Sequence, residues 1–364
     1  MKLKRRIYDT ALQIKESVKE KRSVILPVEF FDSGCTTLNL ALSSQTNAGW
    51  PRARINNIVG DGSSGKTLLC LEAFFRFLKS IPDKRSNIFP KVKNIKAIYN
   101  NREGVMDFPL DKMYGEKFKS QIDWRCSRYI EQLGANIVKE IDDCKKGDAV
   151  IYACDSWDAF SAIAESKRLR ESIKNEDAIK GSYNQEKNKY AQDLFEEISA
   201  LLRNNAKDFT LFIVSQTRDK INVSFGKKKY RTGGAALDFY THIAAWIREV
   251  DKLEKTINKE KRIYGIESEI HVERSKVAKP FRKSRFTIRF DYGLDDILSM
   301  CHYMTERGLT SWRNFSLKDP SKFIRYIEKN NLERKLKKHI GSMWNEIEQK
   351  FENEIECRKQ KCLL

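Results

Sequence analysis

The chain has 364 residues, 40% of them hydrophobic, enough for a large packed domain with smaller appendages, which excludes a wholly disordered polypeptide. Its formal net charge is +19, from 69 Lys and Arg against 50 Asp and Glu, and that excess favours a polyanionic partner. The eight cysteines show no Cys-x-x-Cys spacing and no apolar run approaches a membrane span, so a disulfide framework, a zinc site and a spanning helix are excluded and a reducing cytosolic compartment is expected.

In chain order, residues 1–24 are basic and helix-compatible. Ile7, Leu12, Ile14 and Val18 fall roughly on one face, so this arm is expected to pack on a neighbouring subunit or on its own core. Apolar, strand-like runs follow at 55–59, 95–99, 149–154 and 210–214, separated by long helix-like stretches. That alternation predicts an α/β fold with a parallel central sheet flanked by helices. Residues 165–190 and 218–235 are polar and too long for ordinary connections. Three further strand-like runs, 242–250, 266–274 and 286–290, predict an antiparallel extension of the sheet. Residues 291–364 read as a small, mainly helical C-terminal domain. Its apolar stripe of Leu332, Leu336, Ile340, Trp344, Ile347, Phe351 and Ile355 is expected to pack on that domain.

The motif Gly60-Asp61-Gly62-Ser63-Ser64-Gly65-Lys66-Thr67 fits G-x-x-x-x-G-K-[ST], between a strand-like run and a helix-like one. Its glycines let backbone N–H groups turn inward around phosphates, and the helix N-terminus adds favourable partial charge. Lys66 is expected to reach the terminal phosphates of ATP and Thr67 to hold Mg²⁺. Asp155, at the end of the run 149–154, is expected to give a second Mg²⁺ contact. Hydrolysis also needs a group that orients the attacking water, and Glu103 is the candidate. Gln216 is placed to sense the terminal phosphate and relay its loss to the loop that follows.

In this order the blocks resemble the RecA family of DNA recombinases, from about residue 32 to about residue 308. The lead-in Ser33-Gly34-Cys35-Thr36-Thr37-Leu38-Asn39-Leu40-Ala41-Leu42 and the phosphate loop are similar to the family's. So are Glu103 with Asp107, the stretch Ser215-Gln216-Thr217-Arg218-Asp219-Lys220, and Thr232-Gly233-Gly234-Ala235-Ala236-Leu237-Asp238-Phe239-Tyr240. The resemblance implies a RecA-like ATPase core over 33–290, a subunit-contact arm over 1–32 and the C-terminal domain over 291–364. It implies that Glu103 is catalytic, that Asp107 and Phe290 hold the adenine, and that Arg274 and Lys276 reach the ATP of a neighbouring subunit. The second DNA-binding loop would use Arg218, Lys220, Lys227, Lys228, Lys229, Arg231, Gly233 and Gly234.

The implied function is ATP-dependent recombination and repair: a helical homo-oligomeric filament on single-stranded DNA that pairs it with a homologous duplex. A ring-forming helicase or packaging motor, and a DNA-binding mediator that hardly turns ATP over, are the alternatives on the same core. Asn100, Asn101, Leu110 and the basic C-terminus depart from the family's pattern and point to a divergent member, such as one carried by a phage or mobile element.

Overall fold

The computed structural model describes residues 27–82, 85–104, 106, 108–175, 185–219, 229–231 and 234–355. Most of the expected arm, residues 1–26, therefore lies outside the described residues. The chain enters through β1 (Phe30–Phe31), which pairs antiparallel with β2 (Trp50–Pro51) across helix α1 (Thr36–Ser43). The phosphate-loop unit follows as β3 (Ile55–Gly60) and α2 (Lys66–Ser80). Next come β4 (Asn94–Asn101), the short helices α3 (Leu110–Tyr114) and α4 (Glu116–Ser120), β5 (Ile122–Arg125), α5 (Ile130–Asp143) and β6 (Asp148–Asp155). Helices α6 (Ile163–Asn175) and α7 (Gln185–Leu201) lead to β7 (Phe209–Asp219), the short β8 (Lys229–Arg231) and α8 (Gly234–Tyr240). The antiparallel part is β9 (Ile243–Ile257), β10 (Glu260–Ser275), β11 (Lys283–Arg289) and β12 (Gly293–Leu294). Helix α9 (Asp296–Thr305), the small hairpin β13 (Ser311–Trp312) and β14 (Phe315–Ser316), α10 (Pro320–Lys329) and α11 (Glu333–Glu354) complete the described chain.

The sheet order is β12-β11-β10-β9-β3-β7-β6-β4-β5, with β8 paired to β7. Contacts from β9 through β3, β7, β6 and β4 to β5 are parallel, and those from β9 to β12 are antiparallel. The central strands are buried on both faces, which is why β6 reads as a near-continuous apolar run; β3 instead buries Asn56 and Asn57, and Asn57 Nδ2 donates to Ile213 O and Ser215 Oγ of β7. One face packs on α2, where Leu69, Ala73, Phe74 and Phe77 meet Phe212 and Ile270. The other face packs on α5 and α7, through Leu133, Ile137, Leu194 and Phe195.

Three expectations need correction. The stretch 165–190 is largely helical where it is described: α6 covers its first part and α7 its end. Helix α6 buries no residue; its helix-forming Ala, Glu, Lys, Arg and Leu are joined by polar ties, Ile163 N to the Glu131 carboxylate at its start and the Arg168 guanidinium to Glu186 of α7, so low apolar content did not mean loop. The boundary at 290 is also crossed. The sheet continues to Leu294, and Leu40 of α1 belongs to the same apolar cluster as Met304, Phe323, Leu336 and Trp344. Asp296 ties the two parts further, accepting from Thr36 N at 2.6 Å and Thr36 Oγ1 at 3.0 Å. Finally, the C-terminal stripe is buried from Leu332 to Trp344, but Phe351 and Ile355 are exposed.

Candidate nucleotide and nucleic-acid site

Strand register assembles the site at the C-terminal edge of the parallel strands, where ligands of open α/β sheets bind. Gly60 stands opposite Gln216 on β7 and opposite Ile247 on β9. Asn101 stands opposite Asp155, so Glu103, two residues beyond β4, faces the end of β6. Ser156 Oγ donates to Glu103 Oε1 at 3.2 Å, and Gln216 Nε2 reaches the same oxygen at 3.4 Å. The sequence-predicted Lys66, Thr67, Glu103, Asp155 and Gln216 are thus brought together.

The phosphate loop is closed by its own bonds. Ser64 Oγ donates to Asp61 O at 2.9 Å, and Lys66 Nζ donates to the same carbonyl. Gly65 has φ of 92°, which favours glycine, and a Cβ there would sit 2.3 Å from Ile288 Cδ1, so the end of that side chain would have to turn aside. Asp61 Oδ1 also accepts from Thr217 Oγ1, which joins the loop to the strand that carries Gln216. Beside Gly65 lies a cavity of about 540 Å³ whose wall includes Ser63, Phe108, Ile263, Ile288 and Phe290. Phe290 is half exposed there, as a ring held ready to stack on a flat base would be.

Asp155 is buried and its Oδ2 accepts two hydroxyls, Thr67 Oγ1 at 2.8 Å and Tyr99 OH at 2.6 Å. Burial pushes the Asp155 carboxyl up, while the Tyr99 and Thr67 bonds pull it down. Burial also pushes the Lys66 ammonium down, against the pull of Asp155 and Asp61. A hydroxyl and a carboxylate are hard oxygen donors of the kind Mg²⁺ takes. Among the described residues no group of three or more His, Cys, Asp or Glu side chains is arranged to hold a metal unaided. The donor set therefore fits a Mg²⁺ that arrives with nucleotide phosphates.

The two departures beside Glu103 have distinct roles. Asn100 is buried and bonded through Nδ2 to Ser127 Oγ at 2.7 Å and Tyr152 OH at 3.1 Å, while its Oδ1 accepts from Ser127 N. It ties β4 to the segment after β5. Asn101 Oδ1 accepts the Glu103 N–H at 3.0 Å and so fixes the backbone of the candidate catalytic residue.

For the nucleic-acid residues the picture is mixed. Arg218 is exposed near the end of β7, two residues beyond Gln216. Lys229 stands on β8, opposite Asp219, and Gly234 opens α8. Arg231 is buried instead, with its guanidinium on Asn57 Oδ1 and Asp238 Oδ1, so it anchors the hairpin rather than presenting a charge to a phosphate. Lys220, Lys227, Lys228 and Gly233, together with the adenine candidate Asp107, lie outside the described residues. Arg274 is half-buried at the end of β10, opposite Ala244, and Lys276 Nζ donates to Phe239 O. Within one subunit, Lys276 therefore binds α8 rather than the phosphate loop.

Sequence reasoning missed Tyr99, Ser156, Asp158 and Thr217. Tyr99 sat inside an apolar strand, and only its hydroxyl marked it. Ser156 followed Asp155 directly, an available signal left unused.

Comparisons with known proteins show what the chain is similar to. The family model of the RecA N-terminal domain matches residues 175–295, from the end of α6 through the antiparallel strands to the cap of α9. Protein RecA of Synechocystis sp. is 28% identical over 322 residues, covering 83% of this chain and 78% of that protein. Protein RecA of Rippkaea orientalis is 27% identical over 349 residues, covering 90% and 88%. Over most of its length the chain is therefore similar to RecA proteins. A plant relative, the chloroplastic DNA repair protein recA homolog 1 of Arabidopsis thaliana, is 26% identical over 272 residues, covering 74% of this chain and 54% of that protein. The described cysteines Cys35, Cys70, Cys126, Cys144, Cys154 and Cys301 are all free. No helix among the described residues is long and apolar enough to cross a membrane.

Proposed function

We propose that this chain is a DNA-dependent ATPase of recombination and repair, acting in the cytoplasm as a helical filament on single-stranded DNA that pairs with a homologous duplex. One observation carries the reading. Gln216 touches Glu103 and stands opposite Gly60 of the phosphate loop, and its strand runs directly into the basic segment 218–235. A change at the terminal phosphate therefore has a short covalent route to the DNA-binding loop.

In this mechanism the N–H groups of residues 62–67 and Lys66 hold the phosphates of ATP, and the cavity at Phe290, with Asp107, takes the adenine. Thr67 and Asp155 hold Mg²⁺, which screens the phosphate charge when bound. Glu103 accepts a hydrogen bond from the water in line with the terminal phosphorus and takes up its proton. Water oxygen bonds to phosphorus as the bridging bond breaks, and ADP and phosphate leave. Arg274 and Lys276 reach across to the ATP of the next subunit, so nucleotide state and filament contacts are coupled. Arg218, Lys220, Lys227, Lys228 and Lys229 contact DNA phosphates, and Gly233 and Gly234 allow close backbone approach.

The test is joint-molecule formation between circular single strands and homologous linear duplex, with electron microscopy of the protein–DNA complexes. ATP-dependent joint molecules and open filaments are the expected result. Closed hexamers without pairing would replace the recombinase with a ring motor.

A further inference from the structure

Lys187 lies in the first turn of α7 with 5% of its surface exposed. A lysine this deep is costly unless its ammonium is partnered. Its Nζ donates to Trp157 O at 2.8 Å, lies 3.5 Å from Asp158 O, and stands 5.7 Å from the centre of the Trp157 ring. Both carbonyls belong to the turn Trp157–Ala159, just after Asp155.

The same turn carries Asp158, whose Oδ2 accepts the backbone N–H of Gln216 at 2.5 Å. That N–H needs a partner, because the β6–β7 ladder ends at the pair Cys154 and Ile213. Asp158 Oδ1 is buried without a hydrogen-bond partner, so the carboxylate relies on nearby positive charge, with Lys187 and Arg218 as its sources. Asp158 in turn is the foremost charge supporting the Lys187 ammonium. A continuous path of polar contacts thus runs from α7 through Lys187, the turn and Asp158 to Gln216, and from Gln216 to Glu103.

We infer that Lys187 and Asp158 are positioning residues for Gln216: Lys187 fixes the turn, and Asp158 holds the Gln216 main chain where its amide meets Glu103. The inference rests on the proposed role of Gln216 as phosphate sensor. Through it, the start of α7 has a direct hold on the hydrolytic site. A lysine kept only for packing would act on stability alone, since a methionine fills nearly the same space.

The experiment uses the full chain with Lys187→Met, Asp158→Asn and the double variant. It reads ATP hydrolysis with and without single-stranded DNA, binding of a fluorescent ATP analogue, and thermal melting. The DNA-stimulated kcat of each single variant is expected to fall about tenfold, the scale of a charge-assisted hydrogen bond that is lost in Lys187→Met and loses its charge in Asp158→Asn, with KM for ATP and analogue affinity unchanged within about twofold. The double variant should be no worse than the weaker single one, because both act through one contact. A folded variant that keeps its kcat, or one that loses only melting temperature, overturns the proposal. Should Lys187→Met fail to fold, Asp158→Asn, which keeps its shape, decides alone. Wild-type turnover indifferent to DNA would sink the proposed function and this inference with it, whereas a stimulated wild type with unaffected variants sinks the inference only.

Discussion

Gly65→Ala tests the phosphate loop where its geometry is most constrained. At φ of 92° a residue with a Cβ pays about 1–2 kcal/mol for the left-handed backbone. The added methyl would also lie 2.3 Å from Ile288 Cδ1, a contact that must be relieved by moving the isoleucine or the loop. Because Cδ1 is the far end of a rotatable side chain, the relief lies at the low end of overpacking costs, about 1 kcal/mol. Together the two effects come to about 2–3 kcal/mol, and the part expressed at the nucleotide site weakens ATP binding by about one to two powers of ten. Ile288→Val removes the offending Cδ1 but not the backbone strain. The Gly65→Ala/Ile288→Val variant should therefore recover only the overpacking part. The assay is titration of each variant with a fluorescent ATP analogue, alongside urea unfolding. Full ATP affinity in Gly65→Ala would refute the reasoning, and so would a double variant no better than the single one.

Other predictions bear on the site and on the fold. Lys66→Ala should abolish ATP turnover, and Glu103→Gln should stop hydrolysis while sparing analogue binding; normal turnover in either would remove that residue from the mechanism. Arg52, buried between Asp208 and Glu29 and stacked 4.8 Å from the Phe89 ring, holds the start of β3 to the start of β7. Arg52→Met strands a buried carboxylate and should cost about 3–5 kcal/mol in urea unfolding, with part regained in Arg52→Met/Asp208→Asn. Burial pushes the His242 imidazole from 6.5 down to about 3, and its Nδ1 accepts the Ile55 N–H. The unfolded chain then binds the extra proton first, so this contribution is whole above pH 6.5 and is lost as pH falls toward 3, amounting to about 2 kcal/mol by pH 5. His242→Gln should flatten that pH dependence of unfolding; an unchanged slope would show that the imidazole is not held neutral.

Much of the fold was legible because it rests on local signals. The strand runs marked β3, β4, β6 and β7, and the glycine spacing marked the turn into α2, since each depends on residues close in sequence. The antiparallel extension was legible for the same reason. What stayed hidden was set by contacts between distant residues. Tyr99 meets Asp155 across 56 positions, Asp158 meets Gln216 across 58, and Lys187 meets Trp157 across 30. Nothing near Lys187 in the sequence separates it from the solvated lysines around it. Arg231 misled for the converse reason: its basic neighbours suggested a DNA contact, while its partners Asn57 and Asp238 come from β3 and α8. Helix α6 misled because it has no buried face and is tied by polar contacts to residues distant in sequence, Glu131 and Glu186.

The account's central claim is that nucleotide turnover and DNA binding are coupled through Gln216. The most direct test is ATP hydrolysis by the full chain with and without single-stranded DNA, at two salt concentrations. The account predicts strong stimulation by DNA that weakens steeply as salt rises, because the basic loop binds phosphates by releasing counterions. Turnover equal with and without DNA at both salt concentrations would contradict it, leaving a nucleotide site with no link to the loop that follows Gln216.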